Sequence, residues 1–292
     1  MKKKIMDLIQ LKEHFLNCQT IKGLSPRTIG MNSECIDYYL QFSNEYSEKA
    51  FNEFLYMIVN KQLSLATKNK IIGHLRVFFY WLMDNGYIKP FKIHLIKGQE
   101  PKIKFFTEDE IDLLMTHPYD NYFSYDRMYT IICFILGTGA RANTILNLKV
   151  EDLDFKEKTV TFTHLKNKKS VILPMSNSLC RVLNNYLNKW DIKEYVFPDC
   201  YNNQLTLNSL SHSMRYYCNK CGVKPRGVHS LRHAFRRMYI KNGGDRFSLS
   251  KFLTHSSIEM TQRYVSLFTQ DLNLNYVPLE HCVKNTRIKR SF

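Results

Sequence analysis

Apolar residues recur three and four positions apart through most of the first 88 residues, the spacing of one face of a helix. Met6 to Asn17 reads as a short helix. Ser25-Pro26 supplies an N-cap followed by proline at the first helical position, and Ile29, Ile36, Tyr39 and Leu40 follow in phase. Phe51, Phe54, Leu55 and Ile58 form another stripe. The strongest one carries Ile71, Ile72, Leu75, Phe78, Phe79 and Leu82 on one side, with Asn85-Gly86 as a left-handed stop. From Lys89 to Phe106 the period disappears among Pro90, Gly98, Pro101 and several lysines, as in a linker. Thr107-Glu108-Asp109-Glu110 then has the form of a capping box and opens a new helix.

Beyond that point the pattern changes character. Tyr129 to Leu136 is an almost wholly apolar helix that runs into Gly137-Thr138-Gly139. Thr159 to Thr163 alternates β-formers, and Ser170 to Leu173 makes a second strand across a turn at Asn167-Lys168-Lys169. Helices are expected over Ser176 to Lys189, Asn208 to Cys221 and His229 to Asn242, the last stopped by Gly243-Gly244. Two short helices follow, around Leu249 to Leu253 and Ile258 to Tyr264, and Val265 to Asn275 forms one more. The fold class is therefore mainly α with a small antiparallel sheet, an α+β arrangement in the second half. The expected domains are a helical one over 1–88, a linker over 89–106, a second domain over 107–276 and a basic tail over 277–292.

A chain of 292 residues suits two domains. At this size about 70–75% of the unfolded surface can be buried without disulfide staples. Forty-two Lys and Arg stand against 26 Asp and Glu, a formal charge of +16, which points to a polyanionic partner. Lys61, Lys68, Lys70 and Arg76 would meet either phosphates or solvent. Asp7, Gln10 and Lys12 interrupt any apolar stretch near the start, so no signal peptide is read there, and no transmembrane stretch appears. A cytoplasmic protein is expected, its eight scattered cysteines reduced. Cys218 and Cys221 are the one close pair. With His212 they make at most half a zinc site, and no second pair has matching spacing.

Six residues carry a chemistry together: Arg141, Lys166, His229, Arg232, His255 and Tyr264. A phosphodiester repels an incoming oxyanion, so attack on it needs fixed positive charge on its nonbridging oxygens. Guanidinium is planar, permanently charged and bidentate, which suits Arg141 and Arg232 to that task. Arg232 follows His229 by three residues, so both leave one helix face. Tyr264 supplies a phenol nucleophile. At a pKa of about 10 it is only ~0.1% ionised at pH 7, a deficit of roughly 4 kcal/mol that nearby arginines and a base must offset. His229 is nominated as that base. Lys166, in the turn between the two strands, would protonate the leaving 5′ oxygen, and His255 would hydrogen-bond a nonbridging oxygen. The phosphotyrosyl link to the DNA 3′ end stores the energy of the broken bond, so religation needs neither cofactor nor metal.

These motifs resemble those of the tyrosine recombinase (phage integrase) family. Thr138-Gly139-x-Arg141 with Leu148-x-x-x-Asp152-Leu153-Asp154 looks like its first arginine box, and Lys166 eight residues before Pro174 like its lysine hairpin. His229-x-Leu231-Arg232-His233 resembles the second box. Leu253-Thr254-His255-Ser256-Ser257-Ile258, with Tyr264 nine residues after His255, resembles the third box and nucleophile. Two positions depart from the pattern: Thr144 stands where an acidic residue is usual, and Thr254 where glycine is usual. The resemblance implies that residues 1–88 are a core-binding domain and that the two domains clamp duplex DNA bearing inverted-repeat core sites. It implies a homo-tetramer on two sites, strand exchange through a Holliday junction, and accessory DNA-bending or directionality proteins as further partners. Among family roles, integration or excision of a mobile element is expected first. Xer-like chromosome-dimer resolution or DNA inversion comes second. A DNA-binding accessory protein without catalysis and a type IB topoisomerase are the readings from other classes. The start of the chain at the core-binding region leaves no room for an arm-site-binding domain.

Overall fold

The computed structural model describes residues 8–98, 105–116, 121–163, 170–244 and 249. It divides into two compact units, Met1–Pro101 and Lys102–Phe292. Lys166, His255 and Tyr264 lie outside the described residues, as do the helices expected after Leu249 and the basic tail.

The first unit is built from four helices: α1 (Leu8–Ile21), α2 (Pro26–Leu40), α3 (Glu48–Asn60) and α4 (Leu65–Asp84). Each start of α2, α3 and α4 is a serine cap: Ser25, Ser47 and Ser64 accept from the backbone N–H three residues on. α1 runs past the expected stop at Asn17, because nothing there breaks a helix, and ends only where Gly23 takes a left-handed φ of 70°. The stripes read from the sequence meet in an aromatic core of Phe15, Tyr39, Phe51, Phe54, Phe78 and Phe79, with Phe51 and Phe79 ring centres 4.6 Å apart. Rings buried this fully each contribute about 1.5–3 kcal/mol. Of the four cations named above, two are engaged within the unit: Lys68 Nζ donates to the Val59 carbonyl at 2.6 Å, and Lys61 Nζ to the Tyr38 hydroxyl.

Residues 91–96, inside the expected linker, pack on this core. Ile93 is buried, and Phe91 lies 5.9 Å from both Phe51 and Phe79. Asn69 holds the strap by both backbone groups of one residue: its Oδ1 accepts from Ile96 N–H at 2.8 Å and its Nδ2 donates to Ile96 C=O at 2.9 Å. An extended segment has no backbone ladder of its own, so a side-chain amide satisfies it. The proline and lysines that break the helical period conceal the apolar Phe91 and Ile93. Asn69→Ala is expected to lower stability by about 1–3 kcal/mol, read as a shifted urea midpoint, since it strips two partners from a part-buried segment.

In the second unit the long apolar run becomes α6 (Phe123–Thr138), buried from Tyr125 to Thr138 except at Tyr129. Around it pack α5 (Glu108–Met115), α8 (Asn177–Lys189), α9 (Leu207–Lys220) and α10 (His229–Lys241). A short α7 (Ala142–Leu146) follows α6, then a single 3-10 turn, Val150–Asp152. The sheet has order β1-β2-β3, all antiparallel: β1 (Leu153–Asp154), β2 (Thr159–Phe162) and β3 (Val171–Pro174). Val160 pairs with Leu173, and Val160 and Phe162 turn inward while Thr159 and Thr161 face outward. The capping box at Thr107 and Glu110 is formed as expected. Glu110 also takes Arg226 at 2.7 Å, just ahead of α10, and Glu108 takes Lys241 at 2.6 Å, the last residue of α10. The start of α5 thus tethers the chain at both ends of α10. Cys218 is buried inside α9 and Cys221 caps its end before Gly222, whose φ is 68°. Among the described residues no helix is long and apolar enough to cross a membrane.

Candidate active site

The site begins where α6 stops. Gly139 takes the left-handed conformation, φ 65°, and its N–H returns to the Ile135 carbonyl at 2.7 Å. A residue with a Cβ would be strained there by about 1–2 kcal/mol. Thr138, fully buried, locks the turn from the side: its hydroxyl donates to Phe134 C=O at 2.7 Å and accepts from Ala140 N–H at 3.2 Å. The chain then leaves extended through Arg141, which occupies the N-cap of α7. This is why a glycine stands just before the arginine segment. Gly139 lets a buried helix end abruptly and turns the chain out from a rigid base, while Gly137 lies inside the helix.

α10 brings the second group. Leu231, Ala234, Phe235, Met238 and Tyr239 face the core and fix its rotation. That rotation leaves His229, Arg232, His233 and Arg236 on one arc of the helix, at steps of three and four. Arg232 lies at the edge of the arc nearest α6 and is only 6% exposed, so its charge is held away from bulk water. Its Nη1 donates to the Gly139 carbonyl, which ties the second arginine segment directly to the first.

The electrostatics show these groups acting on one another. Burial, with Arg141 and Arg236 nearby, draws the Arg232 guanidinium down to about 9, so it remains a cation at neutral pH. Arg141 is lowered by burial. His229 is lowered by burial first and then by the positive neighbours His233, Arg232 and Arg141, which keeps its imidazole neutral and able to accept a proton. The His229 and His233 rings stand edge to face at 5.4 Å. Positive groups gathered in a half-buried place repel one another, and a bound anion would relieve that repulsion.

Three of the six residues singled out in the sequence, Arg141, His229 and Arg232, therefore belong to one electrostatic cluster. Lys166 falls between β2 and β3 in the chain, outside the described residues, and His255 and Tyr264 are also outside them. Thr144, the departure from the first box, is buried one turn into α7. Two contributors carried no assigned role in the sequence reading. His233 was visible as the i+4 neighbour of His229. The locking role of Thr138 had no signal, because a threonine that bonds back to its own helix looks like any other polar residue before it folds.

Residues 104–271 match the phage integrase family over more than half of the chain. The chain belongs to that family. It is thus a tyrosine recombinase by descent, one of the enzymes that cleave DNA and transfer its strands. A tyrosine recombinase XerC of Pediococcus pentosaceus is 24% identical over 93% of this chain and 97% of its own length. A tyrosine recombinase XerA of Pyrococcus furiosus is 25% identical over 90% of this chain and 91% of its own. The same fold is seen in a lambda integrase dimer bound to a COC′ core site, with a TM-score of 0.69 and 16% identity over 86% of this chain and 96% of that one. It is seen again in a Tn1549 transposon integrase in complex with a circular intermediate DNA, with a TM-score of 0.71 and 18% identity over 89% and 95%. For this recombinase the mainly helical fold with one small sheet is that of its family.

Proposed function

We propose that the protein is a site-specific recombinase that cuts duplex DNA at inverted-repeat core sites, holds it through a 3′-phosphotyrosyl link and rejoins it to a new partner as a tetramer on two sites. The observation that carries this reading is the meeting of Arg141, Arg232 and His229 at the end of α6. In it, the two guanidinium groups hold the nonbridging oxygens of one phosphate, where negative charge grows in the transition state. His229, neutral at physiological pH, takes the phenolic proton of Tyr264. Lys166 protonates the departing 5′ oxygen, and His255 donates to a nonbridging oxygen. No metal or cofactor enters, because the phosphotyrosyl bond conserves the energy that religation needs. The core-binding role falls to the first unit and the catalytic one to the second. Action is on DNA in the cytoplasm, at the nucleoid.

Within this class we assign integration or excision of a mobile element, supported by the departures at Thr144 and Thr254 from the boxes usual for the family. Sequencing of the genomic flanks tests the role: element boundaries with inverted repeats agree with it, and a lone chromosomal site speaks for Xer-like resolution.

The chemistry is tested with the full chain and a duplex enriched by it from a random pool, nicked so that the cut end drifts away. A covalent protein–DNA species resistant to denaturant is the expected result. Tight, sequence-selective binding without that species would mean an accessory DNA-binding protein. Relaxation of a plasmid that lacks the selected site would mean a topoisomerase.

A further inference from the structure

The cations on and beside α10 are not equivalent. Arg226 is paired with Glu110 and lies over the Phe106 ring, and Lys241 is paired with Glu108. Arg237 stacks on Phe105, its guanidinium carbon 4.5 Å from the ring centre. Arg236 has no such commitment: it is exposed, and no acidic or aromatic side chain among the described residues takes it. Its position on the helix is specific. It stands one turn beyond Arg232 on the arc that carries His229 and His233, close enough that its charge acts on both Arg232 and His233. A lone solvated arginine would gain by standing apart from other cations. This one continues their row.

We propose that Arg236 is a further DNA contact of this recombinase, taking a phosphate next to the one held by Arg141 and Arg232. The inference rests on the recombinase reading above and extends its grip along the backbone. Four residues of helix advance about 6 Å. One strand of duplex advances about 3.4 Å along its axis per phosphate. A neighbouring phosphate therefore falls within reach of a side chain as long as arginine when Arg232 is seated on the scissile one. The contact carries charge and no base information, so it adds affinity and register without sequence preference. Arg237, one position on and also exposed, is committed to the Phe105 ring and serves as the internal contrast.

The test is the salt dependence of binding by the full chain, read by anisotropy of a labelled duplex from the enriched pool between about 50 and 200 mM salt. Arg236→Ala should bind severalfold more weakly and make the slope of log K against log salt shallower by about 0.9, the share of one phosphate. Arg236→Lys should keep most of the slope, and Arg237→Ala should leave it unchanged. The pool enriched by Arg236→Ala should show the parental base preferences. An unaltered slope in Arg236→Ala, an equal loss in Arg237→Ala, or a changed base preference would each overturn the assignment. Absence of salt-dependent duplex binding by the parent chain would instead bring down the recombinase reading on which it depends.

Discussion

A chain carrying Tyr264→Phe is expected to bind its duplex as tightly as the parent and to leave it uncut. Under the proposed mechanism the lost oxygen is the nucleophile, so cleavage should fall by at least about 10³-fold, to the limit of detection. The measurement is the covalent species on a denaturing gel beside an unchanged binding curve. The alternative phenols differ sharply in availability. Tyr39 is fully buried, gives its hydroxyl proton to the Glu45 carbonyl at 2.7 Å and is pushed up to about 12 by burial. Tyr186 and Tyr217 are pushed up further, again by burial first. None of these can present an oxyanion to DNA. An adduct that survives in Tyr264→Phe would refute the assignment, and mapping the labelled peptide should then lead to an exposed tyrosine such as Tyr201 or Tyr216.

Arg232→Ala is expected to damage the enzyme twice. Loss of a positioned donor at the phosphate costs about 10²–10³ in rate. Loss of the bond to the Gly139 carbonyl leaves a buried acceptor without that partner, at a cost of about 1–3 kcal/mol of stability. Single-turnover cleavage reads the first effect and a thermal melt the second. Arg232→Lys separates them. An ammonium keeps the charge and can still donate once toward Gly139, so much of the stability returns. It lacks the planar fork, so the rate stays low. Parental cleavage in either variant would remove Arg232 from the site.

The sequence disclosed the local architecture well where the signal was itself local. Ser25-Pro26, the Thr107–Glu110 box and the stripe from Ile71 to Leu82 each encode their own helix, and the structure has those helices at those residues. Alternation disclosed β2 and β3, but β1 has two residues, too few to show a period. The five-residue α7 was missed for the same reason. The packing of 91–96 left no local signal, because its order comes from Asn69, far away in the chain, and not from its own composition. The site divides similarly. Motif spacing drew attention to Arg141, His229 and Arg232, yet the contact that joins their two segments, the Arg232 guanidinium to the Gly139 carbonyl, is tertiary and leaves no mark in either one.

That contact spans 93 positions of chain. During synthesis the Gly139 turn leaves the ribosome long before Arg232 exists, so α6 must wait for the helix that both covers it and takes the carbonyl at its end. On the proposed mechanism, competence to cut DNA comes later still, once His255 and Tyr264 have followed α10 out.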